Sequence, residues 1–158
     1  MIKLFYFLFH PSWVFYSAFW VVLLFAMPCW AESPILDRLE LDKDFPSGCG
    51  CIVGDAKGHF LVASDIEEKS SAIIKIAGKR YELKWVSSTE TSAKPRLGAR
   101  FSNVYESGPI RLELNRKTTF VCSPRDESCE VTGYVVRMIL TIEGQTYRWT
   151  GLKGECGC

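Results

Sequence analysis

Two Cys-x-Cys clusters, Cys49/Cys51 and Cys156/Cys158, stand at the beginning and the very end of the part of this chain that reads as folded. Bonded to one another, they make the first and last elements of the domain neighbours and exclude an open architecture whose ends lie apart. Positions i and i+2 of a β-strand share a face, so both cysteines of one cluster can meet both of the other if the two strands run antiparallel. Cross-strand neighbours lie about 4.5 to 5.5 Å apart, within disulfide reach. This geometry predicts Cys49 bonded to Cys158 and Cys51 to Cys156, with the crossed pairing as the alternative. Cys122 and Cys129 are then left to close the six residues between them.

Residues 1–31 read as a signal peptide. Lys3 is the only charged residue there, residues 13–27 form an apolar run, Pro28 ends it, and Cys29 and Ala31 are small residues at the cleavage positions. An uncleaved leader is the one membrane attachment in this reading. Removal of the leader takes away one of the seven cysteines and leaves an even number, the parity of a three-disulfide framework. An exported chain meets an oxidising compartment, so the expected location is periplasmic or secreted. The 19 basic and 18 acidic residues include one Lys in the leader, so the remainder is electrically balanced. With no Lys/Arg block along the sequence, nucleic acid is not an expected partner.

Residues 32–48 form an acidic lead-in arm with Pro34, Pro46 and loosely spaced Ile35, Leu36, Leu39 and Leu41, suited to a short helix or a tethered segment. From residue 49 the pattern is β, with candidate strands at 49–53, 59–64, 72–77, 80–86, 99–106, 110–122, 129–143 and 145–152. Tyr81, Leu83 and Trp85 alternate with Glu82 and Lys84, Ile110, Leu112 and Leu114 alternate with Arg111 and Glu113, and Tyr147 and Trp149 flank Arg148. Such alternation buries one face and wets the other. Ala77-Gly78 and Glu143-Gly144 are tight-turn signals. No long amphipathic helix alternates with the strands. The expected fold is all-β, an antiparallel meander of about eight strands, and its two edges are removed if it closes into a small disulfide-stapled barrel.

The four terminal cysteines are also the right number for a metal or iron-sulfur site, which makes metal binding or thiol redox the competing reading for Cys49, Cys51, Cys156 and Cys158. Export favours disulfides, and no cofactor is expected. His59 is the only histidine beyond the leader, too few for a triad or a histidine-based metal site. Asp65, Glu67 and Glu68 lack the spacing of a calcium loop. No P-loop, nucleophile elbow or zinc-protease helix occurs, so no catalytic residues are assigned and an enzyme is not expected. The loop between Cys122 and Cys129 presents Pro124, Arg125 and Asp126 on a stapled frame, a pre-organised display with Arg125 as candidate anchor. Trp85, Trp149, Tyr81, Tyr147, Tyr134, Phe101 and Phe60 either fill the barrel or line a cavity for a small apolar ligand.

The segments Cys49-Gly50-Cys51, 129–134 (Cys-Glu-Val-Thr-Gly-Tyr) and 153–158 (Lys-Gly-Glu-Cys-Gly-Cys) resemble those of a group of exported bacterial proteins with a Cys-Gly-Cys pair at each end of a β-rich domain. The resemblance covers residues 49–158 and implies architecture without an activity. The expected function is an exported binding protein, inhibitor-like or protein-interacting, whose partner is a protein or another component of the cell envelope.

Overall fold

The computed structural model describes residues 36–45, 49–65, 69–90, 96–123 and 128–158. Residues 1–35, which include the expected signal peptide, and residues 46–48 lie outside them. A four-residue helix α1 (Leu41–Asp44) precedes eight strands: β1 (Gly50–Gly54), β2 (Phe60–Asp65), β3 (Ala72–Ile76), β4 (Lys79–Ser88), β5 (Arg100–Ser107), β6 (Ile110–Val121), β7 (Thr132–Ile142) and β8 (Gln145–Gly157). Every strand pairs antiparallel with its sequence neighbour, and β1 pairs with β8 to close the barrel.

Local chemistry sets the turns. Ala77-Gly78 and Glu143-Gly144 have positive φ at both central positions (49° and 76°, 49° and 83°), the backbone whose twist matches paired strands. The links β1–β2, β3–β4, β5–β6 and β7–β8 are short and define one end of the barrel. The start of β1, the ends of β2, β4, β6 and β8, and all three disulfides gather at the other, called here the stapled end. β8 runs five residues past its expected end at 152. Gly151 adopts φ +72° where the β7–β8 register shifts between Val136 and Met138, and this bulge lets the strand resume and reach β1. β7 begins at Thr132, three residues later than expected, because Glu130 and Val131 leave the ladder to cross over Gly157.

The alternating residues point inward as their period requires. Ile74, Leu83, Leu112, Leu114, Met138 and Leu140 have no surface that water can reach, from outside or from an internal void. The barrel is therefore filled at its waist. Burial of each such side chain contributes about 1.5 to 3 kcal/mol. Of the seven aromatics, Phe101 and Tyr134 are buried core, while Tyr81, Trp85 and Trp149 pack against it. Phe60 belongs to a second cluster on the outer wall, where Leu39 of the lead-in packs on Ala63 and Ile73 with Phe45 and Ile52 around it. The lead-in is held there by its backbone: the Asp37 N–H donates to the Lys75 carbonyl and the Leu39 N–H to the Phe60 carbonyl, both at 2.9 Å.

Candidate functional site: the stapled end

The sequence expectation for the cysteines is met. Cys49 bonds Cys158 and Cys51 bonds Cys156, with Cα separations of 4.2 and 4.0 Å, and Cys122 bonds Cys129 at 5.6 Å. Cys51 and Cys156 are register partners on the closing ladder, on the inward face that also carries Val53, and Cys156 packs against the core. As disulfides these sulfurs carry no thiolate. Three disulfides are the state expected of a chain that folds in an oxidising, extracytosolic environment.

The residue between the cysteines of each pair faces outward, and in both pairs it is glycine for a steric reason. A Cβ on Gly50 would come within 2.5 Å of the Phe45 ring and 2.4 Å of the Ser64 carbonyl oxygen; one on Gly157 would come within 2.4 Å of the Glu130 carbonyl oxygen. Two segments thus lie flat on the seam, the lead-in over Gly50 and residues 130–131 over Gly157. Between them runs a groove of about 520 Å³. Gly50, Gly157 and Ile52 floor it, Phe45 and Val131 form apolar walls, and Asp42 and Glu155 bring carboxylates to it. Neither carboxylate is in an ion pair among the described residues.

Inside the barrel the same end turns polar. Ser64, Asn103, Arg116 and Thr118 are all buried there, whereas the hairpin end holds Ile110, Leu112 and Leu140. Arg116, 8% exposed, faces inward and lies 5.8 Å from the ring centroids of both Phe101 and Tyr134, which meet edge to face. Among the described residues the guanidinium pairs with no carboxylate, so the two rings are its compensation. Asn103 donates to Ser88 Oγ at 3.2 Å, while its Oδ1 and Thr118 Oγ1 find no partner among the described residues. Burial raises the Tyr134 phenol above its ordinary value; the Glu90 carboxylate adds to that rise, and Arg116 opposes it.

The other sequence candidates fall elsewhere. Pro124, Arg125 and Asp126 lie outside the described residues; their flanking Cys122 and Cys129 sit at the stapled end, where the Val131 N–H donates to Cys122 Sγ at 3.2 Å. Glu67 and Glu68 are likewise outside them, and Asp65 ends β2. His59 closes the β1–β2 turn at the opposite end: Asp55 accepts from the Lys57 and His59 N–H groups at 2.8 and 3.0 Å, and His59 Nδ1 lies 2.9 Å from Asp55 Oδ2. These bonds, led by the His59 N–H, lower the Asp55 carboxyl below its ordinary value. The groove and the inward Arg116 were not foreseen from sequence. Arg116 does continue the inward parity of Ile110, Leu112 and Leu114, a signal that was available.

No protein-family model, curated protein or solved structure matches this chain.

Proposed function

We propose that this chain is a non-catalytic binding protein, periplasmic or secreted, which holds a partner segment in the groove over the β1–β8 seam. The observation that carries this reading is the groove itself. Apolar Phe45, Ile52 and Val131 stand beside the carboxylates of Asp42 and Glu155, and the disulfides beneath them fix the strands that form its floor. A rigid site of this kind loses little conformational freedom on binding. Its charge suits a basic side chain with apolar neighbours, as on a segment of a partner protein of the envelope. The filled waist of the barrel leaves no chamber there for a small apolar ligand, so the outer wall is the better supported surface.

The test is site-specific photo-crosslinking in the exporting cell. A photoreactive residue in place of Asp42 is expected to give one reproducible adduct, and the same residue in place of Glu82 on the far outer wall is expected to give none. Glu155→Lys should abolish the Asp42-site adduct while the protein remains folded and oxidised. Equal labelling from both positions, or an adduct indifferent to Glu155→Lys, would overturn the groove as the binding site.

A further inference from the structure

Beyond the seam groove, on the strands that continue round the barrel from β8 to β5, the register assembles a second surface that no stretch of sequence displays. On the outer wall Arg100 stands opposite Lys117, Lys117 opposite Val135, and Val135 opposite Lys153. Arg137 shares the face with Val135, two residues along β7. At about 4.8 Å per strand the row from Arg100 to Lys153 spans about 14 Å. All four cations are exposed, and none is in an ion pair among the described residues.

Apolar side chains stand in the same face. Val135 is 46% exposed within the row, and Phe120 is 51% exposed beside it, over Gly133. Leu97, 72% exposed, precedes Gly98, whose N–H donates to the Thr118 carbonyl at 2.9 Å at the same end of β6. These are three of the four large hydrophobic residues the described structure leaves exposed.

Stability alone does not select this arrangement. Like charges directly opposite on neighbouring strands repel, and Arg100 and Lys117 are such a pair. An anionic partner removes the repulsion. A soluble polyanion would use the cations and gain nothing from Leu97, Phe120 and Val135. A lipid surface uses both, since headgroup phosphates meet the cations while apolar side chains enter the headgroup boundary. The face is also the convex wall of a barrel and offers no cleft to fix the register of a polymer, whereas lipid headgroups rearrange around a convex surface.

We infer that the β5–β8 wall is a peripheral docking face for an anionic phospholipid surface, with Arg100, Lys117, Arg137 and Lys153 as its charges and Leu97, Phe120 and Val135 as its apolar contacts. This face borders the groove, since Lys153 and Glu155 stand two residues apart on the outer side of β8, but none of its four cations lines the groove, and either reading stands if the other fails.

The experiment is co-sedimentation of the exported protein with phosphatidylglycerol-containing vesicles and with phosphatidylcholine vesicles. Selective binding to the anionic vesicles, weakened by salt, is expected. Each cation near such a surface is worth about fivefold in partitioning, so Lys117→Gln/Lys153→Gln should lower it about 25-fold. The equal charge change Lys57→Gln/Lys79→Gln, at the β1–β2 and β3–β4 turns at the opposite end of the barrel, should leave it within about twofold of the parent, since charges more than a Debye length from the surface are screened. Leu97→Ser/Phe120→Ser should weaken vesicle binding without changing retention on soluble polyphosphate. The inference is overturned by equal binding to both vesicle types, by equal losses from the two lysine pairs, or by indifference to the apolar pair. The last outcome would mark the face as a general polyanion site.

Discussion

Cys51 and Cys156 face each other as direct register partners on the ladder that closes the barrel, their Cα atoms 4.0 Å apart, and Cys49 and Cys158 repeat the bond just beyond the ladder's end. The two bonds are therefore largely redundant in topology. Either one alone closes a loop of more than 100 residues, worth about 4 to 5 kcal/mol in the loop-entropy model, whereas the second closes only a small ring worth about 2 kcal/mol. Removal of one bond by Cys49→Ser/Cys158→Ser should cost about 2 kcal/mol, and removal of both about 7 kcal/mol, more than twice the single effect. Chemical denaturation of the single and double variants measures this non-additivity.

The outward glycines give a sharper test of the seam. Gly157→Ala sets a methyl group against the Glu130 carbonyl, which is backbone and has little room to yield. It should destabilise the fold by about 1 to 3 kcal/mol, the usual cost of overpacking. Gly50→Ala meets the Phe45 ring as well as the Ser64 carbonyl, so it should also loosen the lead-in and speed hydrogen exchange at the Leu39 N–H. A neutral Gly157→Ala would show that residues 130–131 do not lie against the seam in solution.

Arg116 predicts a difference between cations. The broad, weakly hydrated guanidinium lies within cation–π range of both rings, 5.8 Å from each centroid, and a compact, strongly hydrated ammonium loses more on burial, so Arg116→Lys should cost about 1 to 2 kcal/mol although the charge is kept. Thermal or chemical unfolding reports the loss, and equal stability would remove the rings from the account of how this buried charge is tolerated.

Tyr134 contributes to the alkaline limb of the stability profile. Burial favours its neutral form, so the folded-state pKa lies above the ordinary 10.0. Its contribution is constant below that value and is lost as pH rises from there through the folded pKa. Tyr134→Phe should therefore flatten the alkaline fall in unfolding free energy and leave the neutral range unchanged in slope.

Asp55 works in the opposite sense. Hydrogen bonds from the turn lower its folded pKa, so its contribution is present above the ordinary 3.8 and is lost as pH falls through the folded value. Asn can accept the same backbone bonds without ionising. Asp55→Asn should thus make acid unfolding less steep, a change that denaturant titrations across the acid range detect.

Much of the frame was legible in the chain. Tyr81, Leu83 and Trp85, like Ile110, Leu112 and Leu114, carry period-two signals, which are local and survive any context. Ala77-Gly78 and Glu143-Gly144 specify their turns through backbone sterics alone. The groove was hidden because it depends on where Phe45 and Val131 come to rest, and no local pattern encodes that. The extension of β8 was missed because Gly151 reads as a strand end until its φ shows a bulge.

By itself, the sequence indicated antiparallel strands and two Cys-x-Cys pairs that meet, with Cys49 to Cys158 and Cys51 to Cys156 preferred over the crossed order, because strand parity and disulfide reach act over a few ångströms and a few residues. Only the tertiary structure decided which charges meet. Arg100, Lys117, Arg137 and Lys153 each look like an ordinary wet-face residue on its own strand; barrel closure and cross-strand register, which depend on the whole set of pairings, place them on one wall.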